Sequence, residues 1–224
     1  MLKNTRFILF SYSLVLIIVS SLATILCYHL FVFNTFSDAN SPSATFRELN
    51  DAEVKNSPIS EDNTIIEVLS LGCHYCAVNA DKLQDFARTL PANARFQVIH
   101  LTQDGRGLSA WAPLFATLEV MGIEERFRDS AWHAIITRSS DLNDPQTLQR
   151  WLADHHIDEA AFQQARHSDA VRARLQYMAD VTRFYRIDAT PMFIINKRYV
   201  VAQDSDFAAF AARMRQLLAG EPRS

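Results

Sequence analysis

Two cysteines with two residues between them, Cys73-His74-Tyr75-Cys76, are the stretch whose types and spacing can do chemistry. A thiolate is a nucleophile, a leaving group and a metal ligand. Two thiols one helical turn apart can close a disulfide. The rival use of such a pair is a zinc site, and a four-thiolate site needs a second pair. The only other cysteine, Cys27, lies in an apolar segment. A mixed site drawing on His74, His100, His133, His155, His156 or His167 lacks finger-like spacing. Redox chemistry is therefore the first expectation and metal carriage the second.

The elements around the pair set its reactivity. Residues 65–71 are a short apolar run that reads as a buried strand, ending at the hinge residue Gly72. A helical pattern follows, with Leu83, Phe86 and Leu90 on one face and Pro91 as its stop. Cys73 then sits where a strand feeds a helix N-terminus. Unpaired N–H groups and the helix dipole favour an anion there, which lowers a thiol pKa from about 8.5 to roughly 3.5–7.5. A cationic His74 would add to that effect. Glu67 is an acid in a strand otherwise built of Ile, Val and Leu. Burying a carboxylate is costly unless it is paired or protonated. It is either an edge residue facing water or a buried acid beneath the cysteine pair.

The totals fit one well-filled domain with an insertion: 224 residues, 49% hydrophobic, 21% charged and only 5 Gly. A net charge of -3 gives no support to nucleic-acid binding. No Gly-rich phosphate loop, dinucleotide fingerprint or Ser-His-Asp elbow occurs.

Residues 7–33 carry no Asp, Glu, Lys or Arg, and Lys3 and Arg6 precede them. As a helix this run would exceed the roughly 30 Å of bilayer hydrocarbon. It is longer than the apolar core of a cleaved signal peptide, so a retained single-pass anchor is expected, with the N-terminus cytoplasmic and the bulk exported. Disulfides persist in such a compartment. Residues 37–45 read as a polar linker.

Residues 46–49 suggest a first strand and residues 95–102 a second buried one. From Leu108 to about Tyr185 the period is helical. Its caps are Asp144 before Pro145, Asp158 with an Ile157–Phe162 staple, and Ser168. Residues 192–202 form a hairpin turning at Asn196-Lys197-Arg198. A last helix, capped by Ser205 or Asp206, carries Phe207, Phe210, Met214 and Leu217 inward.

In order, this is strand, Cys-x-x-Cys helix, strand, helical block, Thr190-Pro191 opening a hairpin, and helix. From about Phe46 to Gly220 it resembles the thioredoxin fold of the DsbA-type exported disulfide oxidoreductases. Gly107-Leu108-Ser109-Ala110-Trp111, Met121-Gly122-Ile123-Glu124 and the residues after Pro191 carry the likeness. The resemblance implies an α/β thioredoxin fold at 46–104 and 186–220. It implies a helical insertion domain at 105–185, here preceded by an anchor within 1–36. It implies a cis Pro191 facing the disulfide, substrate contact at Thr190 and Tyr75, and Glu67 exchanging a proton with Cys76. Cys73, Cys76, His74, Glu67 and Pro191 are thus the expected catalytic set, with no cofactor and no metal.

The implied partners are unfolded or partly folded exported proteins with free thiols, and a quinone-linked, DsbB-like membrane protein that recharges the pair. The implied location is the bacterial inner membrane, with the catalytic domain in the periplasm. Four residues depart from the family pattern. His74-Tyr75 replaces Pro-His between the cysteines, Thr190 replaces Val before the proline, and Ala80 stands where a second acid is usual. These leave isomerase or reductase action as the alternative direction.

Overall fold

The computed structural model describes residues 12–25, 46–103 and 105–220. Residues 12–25 form a helix, α1, whose apolar side chains are exposed, Leu14, Ile17 and Leu22 among them. The rest of the expected anchor and the 37–45 linker lie outside the described residues. No helix among the described residues is long and apolar enough to cross a membrane.

The described residues from 46 onward form one compact unit. Its sheet comprises β1 (Phe46–Glu48), β2 (Thr64–Leu69), β3 (Arg95–His100), β4 (Met192–Ile195) and β5 (Tyr199–Ala202), in the order β1-β5-β4-β2-β3. β2 and β3 run parallel, and the other pairs are antiparallel. A parallel pair needs a crossover, and α3 (His74–Arg88) supplies it. β2 is an inner strand, between β4 and β3, and all six of its residues are buried. This is why it reads as an apolar run rather than an alternation.

Side chains alternate between two cores. Ile65, Phe193, Ile195 and Val201 pack with Leu83 and Phe86 of α3 and with Phe210, Met214 and Leu217 of α9 (Phe207–Leu218). Ile66, Val68, Ile194 and Val200 face a larger core shared with the helical block. That block holds α4 (Ala112–Val120), α5 (Glu124–Trp132), α6 (Pro145–Asp154), α7 (Glu159–Arg166) and α8 (Asp169–Phe184). Asp144, Asp158, Ser168 and Asp206 each cap as their sequence context suggests, the side-chain oxygen accepting from a backbone N–H three residues on. The hairpin turns at Asn196 and Lys197, both at positive φ. Two features were not anticipated. A short α2 (Asp51–Lys55) is closed by an Asn50–Glu53 capping box. A π-helical turn, His133–Thr137, extends α5.

The end of α8 is tied to the sheet through Tyr185, which is fully buried. Its hydroxyl lies 2.7 Å from Ser57 Oγ and donates to the Lys197 carbonyl at 2.9 Å. Arg47 donates to the Tyr185 carbonyl. Tyr185→Phe should therefore cost about 1 kcal/mol, by stranding half-buried partners rather than by losing packing, read as a lower denaturant midpoint with unchanged m.

Candidate active site

Cys73 is the N-cap of α3, and its sulfur accepts the Cys76 backbone N–H at 3.1 Å. No acidic residue occupies the first turn of that helix, so its positive end is left for the sulfur. Cys73 and Cys76 form a disulfide with Cα atoms 5.3 Å apart. Cys73 is 5% exposed and Cys76 wholly buried, so only the Cys73 sulfur is presented to a reactant. Facing it, the Thr190 carbonyl oxygen lies 3.5 Å from Cys73 Sγ. The Thr190–Pro191 peptide is cis. The structure thus brings Cys73, Cys76, Thr190 and Pro191 together. His74 and Tyr75 project outward from the first turn of α3, Tyr75 with 71% of its surface exposed.

The turn entering the helix is clamped on all sides. Ser70, fully buried, donates from Oγ to the Leu108 carbonyl at 2.5 Å and accepts the Gly72 N–H at 3.0 Å. Its carbonyl accepts from Cys73 N and from the indole N–H of Trp132, each at 3.0 Å. Gly72 is required by contact rather than by φ: a Cβ there would lie 2.4 Å from the Trp111 ring. The Leu71 N–H donates to His100 Nε2 at 3.0 Å, while His100 Nδ1 donates to the Leu101 carbonyl at 2.7 Å. This pairing requires the neutral Nδ1–H tautomer. Burial holds the His100 pKa down at about 4. From sequence, His100 is visible only as a spare imidazole; its role depends on where β3 sets it.

Glu67 is 3% exposed, and Oε1 has no hydrogen-bond partner. It shares a face of β2 with Ile65, on the α3 side. It lines a cleft of about 410 Å³ together with Ala80 and Leu83 of α3 and Arg128 of α5. Ala80 is one turn beyond Cys76 on that helix. No hydrogen bond joins Glu67 to either cysteine among the described residues. Burial raises its pKa to about 7, partly offset by the Arg128 guanidinium. Of the two readings open from sequence, the buried one is what the structure holds. Arg128 and its partner Glu124 gave no signal in the sequence, because neither is near the motif in the chain. No cluster of three or more His, Cys, Asp or Glu able to hold a metal occurs among the described residues.

The described geometry has known counterparts. A family model described as a DSBA-like thioredoxin domain matches residues 64–215. A thiol:disulfide interchange protein DsbA of Azotobacter vinelandii is 27% identical over 135 residues, spanning 60% of this chain and 63% of that protein. The namesake from Bordetella pertussis is 24% identical over 170 residues, 73% of this chain and 80% of the relative. Among solved structures, Pseudomonas aeruginosa DsbA superposes with a TM-score of 0.68 at 20% identity, covering 79% of this chain and 92% of that one. The oxidoreductase NmDsbA1 from N. meningitidis does so at 0.64 and 17%, covering 83% and 97%.

His100 and Glu67 load stability in opposite directions. Unfolded His100 titrates near 6.5 and folded His100 near 4. Its contribution is intact above pH 6.5 and is lost as pH falls toward 4, by about 3 kcal/mol. Glu67, raised from 4.5 to about 7, contributes fully below 4.5 and loses its contribution as pH rises through 7. The two slopes oppose each other between 4.5 and 6.5. Denaturation of Glu67→Gln across that window should therefore reveal a steeper loss of stability on acidification than wild type shows.

Gly72→Ala should lower the melting temperature and displace Trp111, at a cost of about 1–3 kcal/mol. Near-ultraviolet circular dichroism of the indoles would report the displacement.

Proposed function

The chain belongs to the DSBA-like thioredoxin domain family, and from that premise we propose that it is a thiol:disulfide oxidoreductase that introduces disulfide bonds into exported proteins. The observation that carries this reading is the Cys73 sulfur at the start of α3, accepting a backbone N–H and backed by no carboxylate. A charged acceptor strengthens such a bond, so the arrangement stabilises Cys73 as a thiolate more than as half of a disulfide.

In this reading a substrate thiolate attacks Cys73 Sγ. The Cys73–Cys76 bond breaks and its electron pair goes to the Cys76 sulfur, which takes a proton. A second substrate thiolate then attacks the substrate sulfur of the mixed disulfide, and Cys73 leaves as a thiolate. The substrate is oxidised by two electrons and the enzyme pair is reduced. Glu67, with a pKa of about 7, is populated in both protonation states at neutral pH and serves as the proton donor and acceptor for Cys76. The Thr190 carbonyl beside the disulfide offers an extended substrate an edge to add to, with the exposed Tyr75 flanking it and His74 favouring the thiolate.

The clients are unfolded or partly folded proteins with free thiols, and a quinone-linked, DsbB-like membrane protein re-oxidises the pair. The uncharged run over residues 7–33 supports a single-pass anchor in the bacterial inner membrane, holding residues 46–220 in the periplasm. Residues 105–185 act as an insertion domain of the thioredoxin-like part. The second reading, isomerase or reductase, is favoured by Thr190 where the family usually carries Val.

Equilibration of the full chain with glutathione separates the directions. A reduction potential near about -120 mV supports oxidation of substrates, whereas one near about -270 mV belongs to a reductant and overturns it. Cys73→Ser should abolish turnover. Glu67→Gln should slow the formation of reduced Cys76 and flatten the pH dependence of the rate around pH 7.

A further inference from the structure

Five further acids line the cleft over Glu67, set among apolar residues of α3 and β3. Asp81 comes from α3, Glu119 from α4, and Glu124, Glu125 and Asp129 from α5; β3 adds only the apolar Phe96 and Val98. Across β4 the register partner is Phe193. Several of these carboxylates have their own partners. Glu119 holds Arg174 in a two-point pair at 2.6 and 2.7 Å, and Glu125 accepts from Gln84 at 2.9 Å. Asp81 and Asp129 are exposed to solvent. Glu67 alone is buried with an oxygen that nothing satisfies.

Among the described residues, the sole cation lining this cleft is Arg128. Its Nε and Nη2 donate to the two oxygens of Glu124 at 2.6 and 2.5 Å, both side chains being largely buried. Its Nη1 forms no hydrogen bond among the described residues. The guanidinium also lies over the Trp132 ring at 6.0 Å, and Trp132 holds the Ser70 carbonyl of the catalytic turn. A planar fork pinned on one edge and packed on one face has little freedom to follow another charge. It acts on Glu67 as a fixed positive charge.

We infer that Arg128, fixed by Glu124, is a positioning residue that sets the ionisation of Glu67 from the helical insert, and so sets the proton supply to Cys76. The inference rests on the proton role proposed for Glu67. An isolated buried carboxyl would stay protonated well above neutral pH. One cation in its cleft brings the two forms into balance near pH 7, where a donor that must also be recharged works best. Glu124 tempers that field because its own charge opposes it.

The test is a carbon-13 carboxyl titration of the full-length oxidised protein by NMR, with the Glu67 signal assigned by its loss in Glu67→Gln. The pH profile of the glutathione equilibrium runs beside it. Arg128→Met should raise the Glu67 midpoint by about one pH unit or more, and Arg128→Lys should restore most of it. Glu124→Gln, which keeps an oxygen for the guanidinium but removes the opposing charge, should move the midpoint down. Opposite shifts in the two variants support the inference, because loosened packing would move both the same way. An unmoved midpoint in Arg128→Met, or a rise in both variants, overturns it. If Glu67→Gln leaves the glutathione profile unchanged, the proton role of Glu67 fails instead. The titration still decides whether Arg128 governs Glu67.

Discussion

The contact on which this molecule turns is the bond from the Cys76 backbone N–H to the Cys73 sulfur. A helix has orphan N–H groups at its start that must find an acceptor. In five of the described helices an Asp, Asn or Ser oxygen fills that role. At α3 it is a sulfur atom, which can carry a full negative charge only when the disulfide opens. The same donor is thus a modest bond in one redox state and a charge-assisted one in the other. The buried framework around it keeps that helix start in place. The fully buried β2 delivers it, Ser70 and His100 hold the turn, and Trp111 leaves room for nothing larger than glycine at position 72.

Local features were the easiest to read from the chain. Caps such as Asp158 and Ser168 depend on residues three positions away, and the hairpin at Asn196-Lys197 depends on its own four. The strand–helix junction at Cys73 was legible for the same reason. The five-residue α2 is too short to show a period, and its one local signature is the Asn50–Glu53 capping box. The π turn after Trp132 has no distinguishing composition. For Glu67 the sequence supplied the anomaly, a carboxylate among β-branched residues, but not its setting. Arg128 and Glu124 reach it only because α5 folds back against α3, and no periodicity encodes which residue of α5 will face the cleft.

Two buried titratable groups flank the catalytic turn, and they differ in kind. His100 is satisfied at both nitrogens, so its low pKa reflects a structural assignment: the imidazole stays neutral and holds Leu71 in place. Glu67 is satisfied by nothing at Oε1, so its raised pKa reflects an unresolved cost. Buried polar groups that only support structure are normally paired, and an orphan among them is the exception that asks for a use.

Ser70 has one further consequence. Its side chain grips Leu108 at the entrance of the helical block, and its main chain grips Trp132 well inside that block. Both bonds run to the residue three places before the reactive sulfur. The insert is therefore not free to swing like a lid over a finished site. It is stapled to the hinge of that site at two points, and any breathing motion that parts the two halves must loosen the loop that aims the sulfur. Opening between the two halves and alignment of the sulfur are in this way mechanically geared, and a protein that opened too readily would lose its aim before it lost its fold.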